Sequence, residues 1–405
     1  MKAPPLPLEE AQARLLALVE PLPIEHADIE SALGHYLAAP LPARRTQPGS
    51  DLSAMDGYAV APGDMAGPWR VTGESAAGHP FDGVVRQGEA IRISTGAVLP
   101  AGAGAVIVQE DLARGGDMLT LTGDAPVPEG RHIRRRGMDF AEGAQVLSAG
   151  TLIGPAQAGL AIASGHSHLP IRRRPRIAVI DSGDELAPGI EDCGPHQIPA
   201  SNGAMLKALA SALPCTAENL GPVADDMDAL AGVFARASSA DIVVTSGGAS
   251  VGDHDLIRPA LEAWGAEIDF WRVALKPGKP ILVATRAGSG GRQLILGLPG
   301  NPVSTYVTAF LFLMPLLRAL LGAADSLPRR IRTRLGAPLP AGGARREFLR
   351  ARWDGAEIVP QNIQDSAALV SLATSNALID LEAGAPAAVI GDEVWAYLLQ
   401  NGGVA

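Results

Sequence analysis

The chain has 405 residues, which at roughly 100 to 200 residues per domain is enough for two to four domains. Hydrophobic residues make up 47% and charged residues 19%, as in globular proteins, and the net charge of -10 disfavours general nucleic-acid binding. The two cysteines, Cys193 and Cys215, fit neither a zinc-binding pair nor a disulfide framework, so a reducing cytoplasm is the expected location.

The first part of the chain predicts a helix followed by a β-rich region. Residues 1–20 carry acids where a secretory signal needs an uninterrupted apolar core, and their pattern predicts an amphipathic helix instead. Residues 50–148 are rich in glycine and contain short Val/Ile runs between turns, which predict β-strands. An alanine-rich helix over 154–164 and a basic, proline-containing linker over 172–176 follow.

Beyond this linker the pattern alternates strand, loop and helix, which predicts a doubly wound, mostly parallel sheet with helices on both faces. The segments are RIAVIDSGDEL, SNGAMLKALASAL, DDMDALAGVFARA, DIVVTSGG and QLILGLPGNP. An apolar run over 303–317 is shorter than the roughly 20 residues of a membrane span and contains Pro315, so a buried helix is predicted. The last part contains β-like segments: RREFLRARW, ALIDL and AAVIG. They predict a small separate domain.

The loop TSGGASVGDHD, residues 245–255, follows the apolar strand DIVV. Gly247 and Gly248 permit positive φ, so successive N–H groups can point at one anion. The hydroxyls of Ser246 and Ser250 add donors, although a lone SGG pair is more often an ordinary tight turn. Two carboxylates, those of Asp253 and Asp255, would repel a phosphate unless a divalent cation such as Mg²⁺ lay between them.

Two further loops predict anion binding. KPGKP places Lys276 and Lys279 on either side of a Pro-Gly turn, which suits a pyrophosphate or an oxyanion, or else forms a solvated hairpin tip. LPGNP joins a strand end to a helix start, so free N–H groups add positive potential there; the alternative is a helix start capped by Asn301. In DSGDEL, Asp184 and Glu185 offer an acidic pair or a capped helix start.

Two common nucleotide-binding motifs are missing from the sequence. GxxxxGK[ST] does not occur, which disfavours a P-loop nucleotide hydrolase. GxGxxG is also missing after the first strand of the α/β segment. The phosphate-binding character therefore belongs to another class of protein.

The motifs together resemble those of the molybdopterin molybdenumtransferase family, known as MoeA, which includes the E domain of eukaryotic gephyrin. They run in family order from about residue 6 to residue 400, and their combination is specific although each motif alone is weak. The motifs are SAMDGYAV (53–60), RISTGAVLPAG (92–102), SGDEL, SNGAML, TSGGASVGDHD, KPGKP, GLPGNPVS and RREFLRA.

The resemblance implies insertion of molybdenum from molybdate into adenylylated molybdopterin, with Mg²⁺ as the cation and AMP as a product. It implies a homodimer whose cleft lies between the α/β domain of one subunit and the β-rich domain of the other. The expected fold class is multidomain α/β plus β: a doubly wound α/β domain of molybdopterin-binding type, a preceding β-rich domain and a small C-terminal barrel-like domain. The expected domains are 1–49 with 149–175, 50–148, 176–326 and 327–405.

The same resemblance assigns roles to matched residues. Mg²⁺ is expected at Glu185, Asp225, Asp255 and Asp253. Lys276 and Lys279 would neutralise the oxyanion or pyrophosphate, and Asp56, Thr95 and Asp139 would approach from the partner subunit. Substrate contacts are expected from Ser246, Gly247, Gly248, Ser250, Pro299, Gly300, Asn301, Pro302, Arg350 and Ser366. The stretch QDSAAL keeps Ser366 but lacks the glycines usual on both sides, which puts this C-terminal contact in question.

Two other functions stay open on the sequence. The first is adenylylation of molybdopterin by ATP, the preceding step, because the α/β segment alone also resembles that adenylyltransferase; the additional β-rich regions argue against it. The second is a non-catalytic scaffold, which would predict eroded acids and lysines. The adenylyltransferase of the same pathway is the expected protein partner, and neither nucleic acid nor a membrane is expected as a partner.

Overall fold

The computed structural model describes residues 5–247, 256–278, 280–288 and 291–399. The first elements are α1 (Leu8–Ala17), β1 (Ile24–Asp28) and β2 (Leu41–Pro42). The β-rich region contains β3 (Leu52–Ser53), β4 (Gly57–Val60), β5 (Trp69–Ser75), β6 (Glu89–Ile93), β7 (Ala105–Val108), β8 (Leu112–Gly115), β9 (Met118–Leu121), β10 (Ile133–Arg134) and β11 (Gln145–Leu147). Next come α2 (Pro155–Ala163) and β12 (His168–Arg172).

The α/β region begins with β13 (Arg176–Asp181), β14 (Leu186–Ala187), β15 (Ile198–Pro199), α3 (Asn202–Ala210), β16 (Thr216–Asn219), α4 (Met227–Arg236) and β17 (Ile242–Ser246). It continues with α5 (Ile257–Ala263), β18 (Glu267–Arg272), β19 (Leu275–Lys276), β20 (Pro280–Gly288), β21 (Gly291–Leu298), α6 (Pro302–Thr308) and α7 (Met314–Leu320). The last elements are β22 (Arg330–Leu335), β23 (Arg346–Trp353), β24 (Glu357–Pro360), α8 (Leu369–Ala373), β25 (Ala377–Leu381) and β26 (Glu393–Leu398).

The central sheet has six strands in the order β16-β13-β17-β21-β20-β18. The first four are parallel to one another, whereas β20 is antiparallel to both of its neighbours. Alternate residues of β13 enter opposite cores: Ile177 and Val179 pack on one face, and Ala178 and Ile180 on the other. Burial on both faces explains the continuous apolar run of this strand. The predicted doubly wound, mostly parallel sheet is confirmed.

The long apolar helix next to this sheet is continuous from Pro302 to Leu320 and changes to a π-helix over Ala309–Leu313, between α6 and α7. Pro315 has no N–H to donate to the carbonyl of Leu311, four residues earlier. The side chain of Gln12 donates to that carbonyl instead, at 2.8 Å. By length and composition the helix passes as a membrane span, but 89% of it is buried inside the protein. It is the predicted core helix.

Helix α1 packs on the central domain through its apolar face. Leu8, Ala11 and Leu15 are buried in the same core as the 302–320 helix. The apolar stripe of this helix thus faces the large apolar surface of the central domain. The chain joins the 150–175 segment later, where β1 pairs antiparallel with β12.

The other two regions are β structures, as predicted. The β-rich region has a six-stranded sheet in the order β7-β4-β6-β5-β9-β8. In the C-terminal region each strand pairs with its neighbour in the order β23-β24-β22-β26-β25. The last of these, β25, also pairs with β23, which closes a barrel. The sequence predicts a β-like segment at AAVIG, but this segment does not form a strand. Its Ala388 makes one isolated bridge to Leu339, and the next strand is β26. Strand β19 of the central region adds to this barrel beside β23.

Candidate functional site

The site is built where three parallel strands end. The register places Asp181 of β13 beside Ser246 of β17, and Ser246 beside Leu298 of β21. Ligands of open α/β sheets bind outside the carboxyl ends of the strands. Gly247 follows at φ +99°, and a Cβ there would lie 2.5 Å from the carbonyl oxygen of Ser182. Only glycine therefore lets these two strand ends approach so closely.

A first cavity of about 630 Å³ opens at these strand ends. Its volume lies in the range of small-molecule binding sites. It lies where the central domain meets the C-terminal barrel, because both contribute residues. The lining residues are Ser182, Gly183, Glu185, Asp225, Gly247, Lys276, Pro277, Gly278, Pro299, Gly300, Asn301, Ser304, Arg345, Gln364, Asp365 and Ser366.

One wall of this first cavity carries positive charge. The Lys276 ammonium lies 2.9 Å from the carboxylate of Glu347, and Arg345 donates to the carbonyl of Leu275 at 3.2 Å. Burial raises the pKa of Glu347, but hydrogen bonds from Lys276 and from the N–H of Gly343 outweigh it, so the pKa lies below its ordinary value. Fixed cations at a cavity wall are suited to binding an anion.

The same cavity is also lined by two acidic residues, Glu185 and Asp225. The Ser182 hydroxyl donates to Asp225 at 2.5 Å, and the N–H of Asp225 donates to the carboxylate of Asp184 at 3.1 Å. Among the described residues no group of three or more His, Cys, Asp or Glu side chains is placed to hold a metal ion. Mg²⁺, however, is commonly held by one or two carboxylates together with water and substrate phosphates. The pair of acids therefore fits Mg²⁺ bound together with a phosphate ligand.

A second cavity of about 630 Å³ shares Ser182, Glu185, Gly247, Gly300 and Asn301 with the first. Its other lining residues are more apolar and include Asp181, Leu186, Ile198, Pro199, Ala200, Ser201, Asn202, Ser246, Pro302, Ala367 and Leu369. The two cavities together form one cleft with a charged half and a more apolar half. Such a cleft can hold an extended ligand that carries both a phosphate and a ring system.

The floor of the second cavity is ordered by Asn202, at the start of α3. Its side-chain N–H₂ donates to the Ser246 hydroxyl at 2.8 Å and to the Gly300 carbonyl at 2.7 Å. Asp181 accepts from the N–H of Gly203 at 2.7 Å, and burial raises its pKa. These bonds connect the ends of β13 and β17 to the loop after β21.

The C-terminal barrel supplies the remaining side of the first cavity. The Asn301 side chain donates to the Ser366 hydroxyl at 3.2 Å, which brings two of the predicted residues together. Arg350 is buried and donates to the carbonyls of Ile363 and Asp365, so it supports the segment that carries Ser366. Burial lowers the pKa of Arg350. The arginine that lines the cavity is Arg345.

The three predicted residues of the β-rich region lie apart from both cavities of the same chain. The N–H and hydroxyl of Thr95 donate to Asp56 at 2.6 and 2.9 Å, and these bonds hold the pKa of Asp56 below its ordinary value. Asp139 is exposed, and its backbone N–H donates to Gln47 at 3.1 Å. Thr95 and Asp56 thus form one small unit in the β-rich region.

Some predicted residues lie outside the part of the chain that the structure describes: Gly248, Ser250, Asp253, Asp255 and Lys279. Several residues that line the first cavity were not predicted as site residues, among them Arg345, Ser304 and Gln364. Arg345 begins RREFLRA and Ser304 ends GLPGNPVS, so both lie in motifs that the sequence did single out. Gln364 begins the stretch QDSAAL, from which only Ser366 was expected to contact the substrate.

Three family models match the chain in order. Residues 6–165 match the MoeA N-terminal region (domain I and II), residues 178–319 match a probable molybdopterin binding domain, and residues 332–399 match the MoeA C-terminal region (domain IV). The fold also resembles the molybdopterin biosynthesis moeA protein from Pyrococcus horikoshii OT3, with a TM-score of 0.84 and 27% identity over 98% of this chain and 100% of that one.

Two curated relatives have the same name, molybdopterin molybdenumtransferase. The one from Staphylococcus aureus (strain MRSA252) is 31% identical over 395 residues, covering 95% of this chain and 93% of the relative. The one from Nostoc sp. (strain PCC 7120 / SAG 25.82 / UTEX 2576) is 33% identical over 377 residues, covering 89% and 85%. With nearly its whole length matched in this way, the chain belongs to the molybdopterin molybdenumtransferase family, transferases that act in molybdenum cofactor biosynthesis.

Proposed function

We propose that this enzyme inserts molybdenum from molybdate into adenylylated molybdopterin and releases AMP in a Mg²⁺-dependent reaction. The observation that carries the proposal is the first cavity, which is lined both by Lys276 and Arg345 and by Glu185 and Asp225. A phosphoanhydride and an oxyanion both carry negative charge, and cleavage concentrates charge on the departing phosphate. One cavity with cations and metal-binding acids suits both groups.

The cationic wall is the proposed molybdate site. Lys276 and Arg345 would bind the oxyanion by charge-assisted hydrogen bonds, and the hydroxyls of Ser304 and Ser366 line the same cavity as further donors. Lys279 follows in the same loop and is proposed to add a second lysine. These donors would bind the oxygen atoms of molybdate and hold the ion next to the dithiolene group of the substrate.

The acidic residues of the first cavity form the proposed Mg²⁺ site. Glu185 and Asp225 would hold the ion, with Asp255 and Asp253 completing the set. When bound, Mg²⁺ supplies positive charge that stabilises the phosphate oxygens during cleavage. The Ser182 hydroxyl donates to Asp225 and thus holds this carboxylate facing the cavity. Ser246 and Gly247, with Gly248 and Ser250, are proposed to cradle phosphate at the adjacent strand end.

The second cavity and the loop Pro299–Pro302 are proposed to receive a ring system of the substrate. The apolar side chains of Leu186, Ile198 and Leu369 provide a surface for a flat ring. The phosphates would then reach the first cavity across Gly247 and Gly300, which line both cavities. Small residues at this junction leave room for the chain that connects ring and phosphate.

We further propose a homodimer in the cytoplasm, in which Asp56, Thr95 and Asp139 approach the cleft from the partner subunit. Their position away from both cavities of their own chain, together with the family resemblance, favours this arrangement. A complex with the adenylyltransferase that makes the substrate is proposed on the same resemblance. Sedimentation of the purified protein as a monomer only would contradict the shared cleft.

The experiment that tests the function is incubation of the purified enzyme with adenylylated molybdopterin, molybdate and Mg²⁺. AMP and the molybdenum-containing cofactor are followed together, with and without molybdate. We expect both products to depend on molybdate and on Mg²⁺. If the protein instead made the adenylate from molybdopterin and ATP, or did neither, the proposed transfer would be refuted.

A further inference from the structure

Residues 276–278, the first part of KPGKP, are held from two sides, and one of these sides is the C-terminal barrel. Strand β19 lies parallel to β23 of the barrel, with Lys276 beside Glu347 in the register. On the other side Gly278 packs against the helix over 302–320. Gly278 has a φ of +102°, and a Cβ there would lie 2.5 Å from a methyl group of Thr308. The backbone of Lys276 is therefore fixed, but its side chain is about half exposed and needs a separate restraint.

Glu347 provides that restraint from a position behind the cavity wall. Its side chain is only 13% exposed, and one carboxylate oxygen lies 2.9 Å from the Lys276 ammonium. The other oxygen accepts from the N–H of Gly343 at 3.1 Å, which fixes the orientation of the carboxylate. Arg345, the second cation of the wall, also acts electrostatically on Glu347 and lowers its pKa. The carboxylate of Glu347 is thus largely shielded from solvent and is fixed by two contacts, with Lys276 and with the N–H of Gly343.

We propose that Glu347 is a positioning residue for the transfer, which holds the Lys276 ammonium at the cavity wall. The inference rests on the proposed function of the first cavity. A lysine side chain without a partner samples many rotamers. The oriented carboxylate of Glu347 holds the ammonium in one place. The barrel thereby contributes to the reaction through a residue that need not touch the substrate.

The decisive variant is Glu347→Gln. Since the N–H of Gly343 needs an acceptor, the amide oxygen is expected to take that position. The amide N–H₂ group then faces the Lys276 ammonium, donor against donor, and the lysine is released. We expect kcat to fall about 10- to 100-fold, as for other lost orienting contacts. The KM for molybdate should stay within about twofold or decrease, because the variant removes negative charge beside the cations.

A double-mutant cycle separates positioning from a general loss of structure. If Glu347 acts through Lys276, the double variant Lys276→Ala, Glu347→Gln should be no slower than Lys276→Ala alone. Glu393→Gln is the matched control, because Glu393 pairs with Arg332 at 3.7 Å on the exposed surface of the same barrel. It should leave kcat and KM unchanged. Additive losses in the cycle, or equal losses in the control, would overturn the inference.

A second readout does not depend on turnover. The acylation rate of Lys276 by an amine-reactive reagent, followed by peptide mass spectrometry, should rise at least about threefold in Glu347→Gln, because the ion pair shields the amine. An unchanged rate would overturn the positioning role. If Lys276 is acylated faster in Glu347→Gln but the wild-type protein releases no AMP, the proposed function is refuted. The role of Glu347 in holding Lys276 is then still supported.

Discussion

Residues in the same motif have different roles in this enzyme, and their surroundings decide which. Asp225 is exposed to the first cavity, whereas its neighbour Asp226 caps helix α4 by accepting from the N–H groups of Asp228 and Ala229. The sequence identified Asp225 only through the family resemblance, because two adjacent acids before a helix look alike. Which of them caps the helix depends on the backbone path after β16.

This pair of acids gives a prediction with its own control. Asp225→Ala should lower the rate of AMP release by about 100-fold or more, since it removes one of the proposed charge-stabilising groups. Asp226→Ala should leave that rate unchanged but lower the free energy of unfolding by about 1 kcal/mol, the usual effect of losing a helix cap. Steady-state kinetics and urea unfolding of both variants make the comparison. If instead Asp226→Ala lowered the rate and Asp225→Ala lowered only the stability, Asp226 would be the residue that holds the metal.

The two arginines of RREFLRA form a second such pair. Arg345→Ala should raise the molybdate KM about tenfold, because it removes a cation from the cavity wall. Arg350→Ala should lower the free energy of unfolding by about 2–4 kcal/mol, since the carbonyls of Ile363 and Asp365 lose a buried donor. Calorimetric molybdate titration and denaturant unfolding separate the effects. A normal molybdate affinity in Arg345→Ala would exclude this arginine from the oxyanion site.

The RREFLRA motif could be chosen from the sequence, but the burial of its arginines could not. Arg345 and Arg350 differ in burial because β23 begins at Arg346, so the first arginine stays outside the strand at the cavity. The second lies inside the strand and points into the barrel wall, where it is 1% exposed. A shift of one residue in the strand start exchanges the two faces, and such a shift cannot be derived from alternation alone.

Asp181 links stability to pH. Its carboxyl is buried at the end of β13, and burial raises its pKa above the ordinary 3.8. The folded state therefore binds the proton of the Asp181 carboxyl more tightly than the unfolded state does. The stability that comes from this proton is lost as pH rises from about 3.8, the ordinary pKa, through the raised pKa. Asp181→Asn can keep the bond to the N–H of Gly203 without the charge. We expect it to raise Tm at pH 7, with an advantage that shrinks as pH falls towards 3.8. A Tm difference independent of pH would contradict this.

At the scale of elements, glycines decide how closely strands and loops meet at the cleft. The sequence correctly predicts the strands β13, β17 and β21 and the glycine turns after them, because apolar runs and glycines are local signals. It does not predict that β20 runs antiparallel, since a strand direction depends on the length and path of the connection. It also does not show where α1 packs, because an amphipathic stripe shows that a helix packs but not against which surface.

Alanine substitutions of Gly247 and Gly265 test how closely the ends of β13 and β17 approach each other. Both have positive φ, +99° and +87°, but only at Gly247 would a Cβ meet another residue, the Ser182 carbonyl oxygen at 2.5 Å. Gly265→Ala should cost about 1–2 kcal/mol of unfolding free energy from backbone strain alone. Gly247→Ala should cost about 2 kcal/mol more and lower AMP release, because strands β13 and β17 must separate at the cavity. Equal destabilisation of the two variants would show that the strand ends are not tightly packed.

At the scale of the whole molecule, the cleft depends on contacts between regions that are distant in sequence. The first cavity needs residues from 182 to 366. The family resemblance led us to expect a contact from the C-terminal region at Ser366, but not the lining by Arg345 and Gln364. A cluster of charges fixes the barrel to the N-terminal helix: Arg346 is hydrogen-bonded to Asp380 at 2.6 Å and to Glu9 of α1. Both Arg346 and Asp380 are buried, and the Asp380 and Glu9 carboxylates raise the pKa of Arg346, against the effect of burial.

This cluster predicts how strongly the regions are coupled. Asp380→Ala should lower the free energy of unfolding by about 3–5 kcal/mol, because it leaves the buried Arg346 guanidinium without its main partner. Asp325→Ala removes an exposed pair with Arg329 and should change stability by no more than about 0.5 kcal/mol. Thermal and denaturant unfolding measure both. A small effect of Asp380→Ala would mean that the barrel is held by apolar packing alone.

The most direct test of the central claim is to locate molybdenum in the protein. Crystals grown with molybdate, measured on both sides of the molybdenum absorption edge, would reveal the metal by its anomalous scattering. We expect a peak in the first cavity, in contact with Lys276 and Arg345, that is lost in Lys276→Ala. A peak at another place, with the first cavity free of molybdenum, would contradict the assignment of this cavity as the place of transfer.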